Sequence, residues 1–280
     1  LSGVGLEQLE IHAPRVIELL QELNETGCVE FLAEPYSHGL SSLANEDCFR
    51  EEVMRMSNKV KEVFGQTPKV FRNSSLIYSD AIGGIIAEMG FKGMLTEGAK
   101  HVLGWKSPHY LYHCAENPNL KLLLRDYKLS DDISLRFFNS EWNEYPLFAD
   151  KYMDWIAALP EGEQVINIFM ELQALGMVQP LSSNILEFLK ALPACAKERG
   201  ITFSTPTEVV TKLNLLIRWM YLIRCHGQMK KEMSAVGWEM PCSVRLSTSC
   251  IVWRNVYTCV MTAESSKTGI ICRPAITSVS

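Results

Sequence analysis

The sequence predicts an α/β fold organised around a parallel sheet, and two observations carry that expectation. Through the first 213 residues, short apolar runs alternate with longer amphipathic ones, which is the pattern of repeated strand–helix units. Several of the short runs are apolar at every position, as strands covered by helices on both faces should be. The elements follow in chain order. A helix is expected near residues 13–23, then a strand at 28–33 and a long helix at 47–64 that stops before Gly65. A strand at 69–72 leads to a helix at 80–89, with Ser79 as its N-cap and Gly90 after its end. Strands at 93–96 and 121–124 follow, then a helix at 146–158, a strand at 165–170, a helix at 185–192, a strand at 201–203 and a helix at 207–213. Six such strands with connections of this length suit a barrel, and a doubly wound sheet fits the same pattern.

Composition narrows the class. At 280 residues with 47% apolar side chains, the chain can bury one large core or two modest ones, and it is neither disordered nor fibrous. No run reaches the ~20 apolar residues of a membrane span, and no basic-then-apolar signal opens the chain. Leu1 stands where Met would begin a protein, and Ser2-Gly3-Val4-Gly5 reads like the middle of a segment, so a truncated N-terminus is expected. Charge and cysteine are uneven. Residues 1–213 carry 19 basic and 29 acidic side chains, whereas 214–280 carry 8 and 3, with Cys225, Cys242, Cys250, Cys259 and Cys272. Such a tail suits a disulfide module, a metal site or a nucleic-acid contact, although it contains no Cys-x-x-Cys pair.

In parallel α/β architectures, side chains at the C-terminal ends of strands line the site. After the strand at 28–33 come Glu34, Tyr36 and His38. A carboxylate, an aromatic ring and an imidazole suit sugar hydroxyls and a flat sugar face, and ordinary loop polarity accounts for them equally well. The strand at 69–72 runs into Phe71-Arg-Asn-Ser-Ser-Leu76, which contains Arg72 and Ser75. The strand at 165–170 delivers Glu171 in Phe169-Met-Glu-Leu-Gln-Ala-Leu-Gly176. The strand at 121–124 is followed by Arg125, Asp126, Asp131 and Asp132; the Asp pair could simply charge the first turn of a helix. Trp105 is a sugar-stacking platform or plain packing. His109 and His113, four residues apart, invite a metal reading completed by Asp131 or Asp132. However, Tyr110-Leu-Tyr112 reads as strand, where such a spacing is too long to chelate readily. No phosphate loop, dinucleotide fingerprint or nucleic-acid module is present.

Two of these segments resemble glycoside hydrolase family 57, in its α-amylase-like branch. Phe71-Arg-Asn-Ser-Ser-Leu76 is similar to the family's Phe-Arg-Asn-Thr-Glu-Leu, whose Glu is the nucleophile; Ser75 occupies that position. Phe169-Met-Glu-Leu-Gln-Ala-Leu-Gly176 is similar to Phe-Met-Asp-Tyr-Glu-Thr-Phe-Gly, whose Asp is the general acid/base; Glu171 occupies that one, Gln173 replaces a Glu, and Met177-Val178 stand where the family has Glu-His. The resemblance implies a distorted (β/α)7 barrel that here lacks its first strand, leaving an exposed edge and low stability. It also implies a cytoplasmic protein acting on an α-glucan or maltooligosaccharide by retaining double displacement, with no cofactor, metal, nucleic acid or membrane involved. Glu34, Tyr36, His38, Arg72, Trp105, Arg125, Asp131 and Asp132 are then expected to contact substrate. A retaining glycosidase needs two carboxyl groups ~5 Å apart, so Ser75 and the lengthened Glu171 imply weak or absent hydrolysis. Competing readings are a non-catalytic glucan-binding or regulatory protein and a metal-dependent deacetylase-like barrel. The resemblance also gives a fourth reading of the tail. Back-translated and shifted by one base, Arg224–Ser234 and Cys259–Cys272 both resemble the family's post-barrel segment, so 214–280 is expected to be a frame-shifted, non-native tail.

Overall fold

The computed structural model describes residues 1–160 and 162–213, together with the backbone of residues 217–218 and 256–263. Helices α1 (Gly3–His12), α2 (Pro14–Glu25), α3 (Ser41–Ala44) and α4 (Glu46–Phe64) precede the sheet. Strand β1 (Val70–Arg72) is followed by α5 (Asp80–Glu88), β2 (Gly93–Glu97), α6 (Lys100–Leu103), β3 (Tyr112–His113) and β4 (Lys121–Arg125). After these come α7 (Tyr127–Asp131), α8 (Ala149–Ala157), β5 (Val165–Glu171), α9 (Ile185–Glu198), β6 (Ile201–Ser204) and α10 (Pro206–Lys212). The sheet runs β1-β2-β4-β5, parallel throughout, and β3 turns back antiparallel on β4. Backbone pairing sets β8 (Val256–Ala263) antiparallel between β5 and β6, while β7 (Ile217–Arg218) pairs with β3. The other residues of 214–280 lie outside the described residues, and so does the expectation of a non-native tail.

The expected caps form. Ser79 Oγ accepts the Ile82 amide, and Gly65 closes α4 in the left-handed conformation with φ of 71°. The expected strand at 28–33 is reduced to one bridge, Ala33 to Phe71. Its backbone is engaged by side chains instead: the Phe31 amide donates to Gln66 Oε1 at 3.0 Å, and the Phe31 ring stacks on Phe64 at 3.7 Å. Glu30 reaches to the far end of the arc, where it accepts the Thr207 amide at the start of α10 at 2.8 Å.

Strand periodicity sorts the core into two layers. Phe71, Met94, Leu122 and Leu124 point outward and pack with Phe49, Val53, Ile82 and Ile86 of α4 and α5. Val70, Leu95, Leu123, Val165 and Phe169 point inward and pack with Leu76, Val209 and Val210. A third cluster seats α8 and α9 on the outer face of β5 through Tyr152, Met153, Ile156, Phe188 and Ile168. Continued by two residues, the inward rows end in Arg72, Glu97, Arg125 and Glu171. An apolar barrel interior therefore ends in charge where the strands stop.

Immediately after β2 the chain passes so close to β4 that only glycine fits. A Cβ on Gly98 would lie 2.2 Å from the Arg125 carbonyl oxygen. Gly98→Ala should therefore lower stability by about 1–3 kcal/mol, measured by urea denaturation; an unchanged midpoint would show that the backbones are not in this contact.

Candidate functional site

At the C-terminal ends of the strands a cavity of about 70 Å³ is lined by His38, Arg72, Ser75, Glu97, Arg125 and Glu171, with Leu135, Phe169, Met170 and Val178 among its apolar walls. Its volume is far below the ~300 Å³ at which ligand pockets begin. It holds water or one hydroxymethyl arm, and a sugar ring would lie across its mouth.

Ser75 is set by a strained turn. Ser75 and Leu76 both have positive φ, 51° and 54°, a region that costs an L-residue roughly 1–2 kcal/mol. Asn73 braces the turn: its amide donates to Ser42 Oγ and the Ile77 carbonyl, each at 2.9 Å, and its oxygen accepts the Ser74 amide. The Ser75 hydroxyl makes no hydrogen bond among the described residues. Beside it, Arg72 is buried, with Nη1 on Glu34 at 2.5 Å and Nε unpartnered. Glu34 lies within 3.5 Å of His38 Nδ1.

The opposite wall is organised by Arg125. Its Nε donates to the Phe169 carbonyl at 3.0 Å, Nη2 to Asp131 at 2.6 Å and Nη1 to Glu97 at 3.3 Å. Burial raises the Glu97 carboxyl; Arg125 draws it back, and Asp131 and Asp126 push it further up. Asp131 ends a helix whose N-cap is Asp126, and Asp132 opens the π-helical turn Asp132–Arg136 that follows, so of the acidic pair only Asp132 stands in a first turn. Asp132 is buried against Arg136 and does not line the cavity.

Ser75, Glu171, His38, Arg72 and Arg125 are thus brought together, while Glu34 and Asp131 stand behind them. Tyr36 is placed elsewhere: it packs with Leu6, Ile17 and Val60, donates to Glu7 and carries the Arg55 guanidinium 3.7 Å above its ring. Trp105 is 92% exposed and lines no part of the cavity. Sequence reasoning missed Glu97, although its inward position two residues beyond Leu95 was a readable signal. It also missed the buried set around His109, which bridges Asp126 at 2.7 Å and Glu163. His113 instead bonds the Cys114 carbonyl. Among the described residues, no three His, Cys, Asp or Glu side chains gather to hold a metal.

An α/β barrel arc with charged residues crowning an apolar interior defines a barrel protein with a strand-end cleft. Comparison places it further: the profile of glycosyl hydrolase family 57 matches residues 1–216, and the chain belongs to that family. A Methanocaldococcus jannaschii protein described as "Putative alpha-amylase" is 43% identical over 215 residues, which are 76% of this chain and 45% of that protein. The chain therefore spans about half the length of that relative. Among solved structures, 4-alpha-glucanotransferase from Thermococcus litoralis aligns over 79% of this chain and 34% of its own at a TM-score of 0.62 and 14% identity. A GH57 branching enzyme from Thermococcus kodakaraensis aligns over 79% of this chain and 54% of its own at 0.57 and 14%. These likenesses show a shared fold, the family's (β/α)7 barrel, of which the described residues form an open arc.

Two outcomes test this geometry. Ser75→Gly should stabilise the protein by about 1 kcal/mol in chemical denaturation, because glycine adopts positive φ without the Cβ penalty; destabilisation would contradict the strained turn. His109 holds its proton above the usual ~6.5. Burial opposes the charge, and Asp126 and Glu163 outweigh it. The stabilisation is fully present below about pH 6.5 and is lost as pH rises through the higher folded-state value. The melting temperature should fall as pH rises above about 6.5, and His109→Gln should flatten that slope.

Proposed function

We propose that the chain is an α-amylase-like, α-glucan-acting protein whose cleft binds α-glucan or maltooligosaccharide and in which covalent double displacement is closed. The observation that carries this reading is the Ser75 hydroxyl, on the cavity wall that Glu171 shares, without a hydrogen-bonded base. A serine hydroxyl is neutral at pH 7 and attacks only when a neighbouring base takes its proton. Glu171 can still transfer protons. Its extra methylene relative to the family's Asp displaces the carboxyl, and an error of ~1 Å costs on the order of 10²-fold in rate. The Arg72 guanidinium and the carboxylates of Glu97 and Glu171, which line the cavity, offer the donors and acceptors that sugar hydroxyls require. Met177 and Val178 leave an apolar rim where the family carries charge. No cofactor or metal enters this reading, and a cytoplasmic setting is part of it, resting on the resemblance alone. Among the described residues no helix is long and apolar enough to cross a membrane.

Calorimetry with maltoheptaose should show binding that weakens in Arg72→Ala, and trapping with a slow-releasing α-glucosyl substrate should give no covalent adduct. Ser75→Glu should raise reducing-sugar release by about 10²-fold. A covalent glycosyl adduct on the unaltered protein would refute the proposal.

A further inference from the structure

The strand that carries Glu171 also builds an apolar surface beside the cleft. Beyond Glu171 the chain turns through Gly176 and presents Met177, Val178 and Leu181 to solvent, and the segment that follows α7 presents Leu135 and Phe138. These five side chains are between 46% and 78% exposed. Single apolar side chains on a surface need no explanation, but a joined group of them marks a place where something binds.

The two segments are joined by one buried amide. Gln179, only 2% exposed, donates from Nε2 to the Ser134 carbonyl at 3.0 Å and accepts the Phe138 amide on Oε1 at 3.1 Å. Its own loop is closed by the Val178 amide on the Gln173 carbonyl at 2.9 Å and by the Gly176 amide on the Gln179 carbonyl at 2.8 Å. A Cβ on Gly176 would lie 3.8 Å from Leu181 Cδ2, so Leu181 folds back onto that loop. Leu135 and Val178 both line the cavity, on a wall that includes Glu171. The apolar rim is therefore a continuation of the cleft, held in one shape before any ligand arrives, and binding need not order it.

Building on the glucan-binding reading, we infer that this rim is a hydrocarbon site, and that the cleft takes an α-glucoside or short α-glucan whose reducing end carries an alkyl chain. In glycoside chemistry the acid stands beside the oxygen of the leaving group. Glu171 holds that position, so a group linked to the sugar through that oxygen leaves the cavity toward the rim. A further glucose unit is a poor occupant there. Its hydroxyls need partners once they leave water, and the five rim side chains offer nothing better than the Met177 thioether. A hydrocarbon chain asks for no partner, and its burial is itself the driving force. Four of the five side chains are aliphatic or thioether rather than flat rings, a surface that suits a flexible chain. The sugar then faces Arg72, Glu97, Arg125 and Glu171 while its alkyl group lies along the rim.

Calorimetry on the full chain with methyl, butyl, hexyl and octyl α-maltosides, each below its micelle-forming concentration, reads the effect of every added methylene, with maltoheptaose and octanol run beside them. Affinity should rise about two- to fourfold per methylene, the range between half and full burial, and octanol alone should bind far more weakly than octyl maltoside. Met177→Gln combined with Leu181→Gln should flatten the dependence on chain length. Equal binding of methyl and octyl maltoside, with maltoheptaose bound, overturns the inference and leaves the glucan-binding proposal standing; a dimer in light scattering would then assign the rim to a second copy of the chain. An undiminished dependence in the double variant, or octanol binding as tightly as octyl maltoside, overturns it as well. Failure of maltoheptaose and of every maltoside to bind overturns both.

Discussion

The cleft depends on one buried cation. Arg125 sits at the end of β4 and reaches across to β2 through Glu97, to β5 through the Phe169 carbonyl and to α7 through Asp131. Parallel strands are otherwise joined only by backbone bonds and apolar packing, and neither fixes how their last residues splay apart. A guanidinium supplies donors in a rigid fork, so it sets those ends at defined angles. Removing one partner of a buried pair typically costs ~3–5 kcal/mol, because the remaining charge is stranded away from water. Here the loss of Arg125 would strand two carboxylates at once and leave the mouth of the barrel without its brace.

The other wall shows a site whose scaffold is retained while its reacting group differs. Asn73 spends its whole amide on holding the turn that aims residue 75 at the cavity, and two consecutive left-handed residues bear the conformational cost. Strain of this kind persists where the surroundings over-determine it, and it clusters at functional sites. The backbone still presents a side chain to the cavity. What it presents is a neutral hydroxyl.

How much of this was legible in the sequence depends on the distance over which each signal acts. Helix ends and strand cores follow from local periodicity and capping, and Ser79, Gly65 and the alternation in Val70-Phe71 and Leu122-Leu123-Leu124 were readable for that reason. The segment at 28–33 looked like a strand because it is apolar. The structure pairs only Ala33, because Gln66 and Phe64, more than 30 residues away, engage Phe31 first. Motif resemblance located Ser75 and Glu171. It could not tell that Tyr36 turns toward α1 and α4, since that depends on Glu7 and Arg55 meeting it from separate helices. Glu97 was readable from its inward position two residues beyond Leu95, and the register that lines it up with Arg125 shows what that position means.

Charge balance joins the two walls. Among the cavity-lining residues, Arg72 and Arg125 face Glu97 and Glu171, with Glu34 and Asp131 behind them. A carboxylate at position 75 would add a negative charge beside the unpartnered Arg72 Nε, a donor that buried surroundings leave unmet at a cost of ~1–3 kcal/mol. With serine there, that donor stays buried and unmet. The cleft also carries less negative charge on the Ser75 side than a carboxylate there would give it. The remaining anionic groups lie toward β2 and β5.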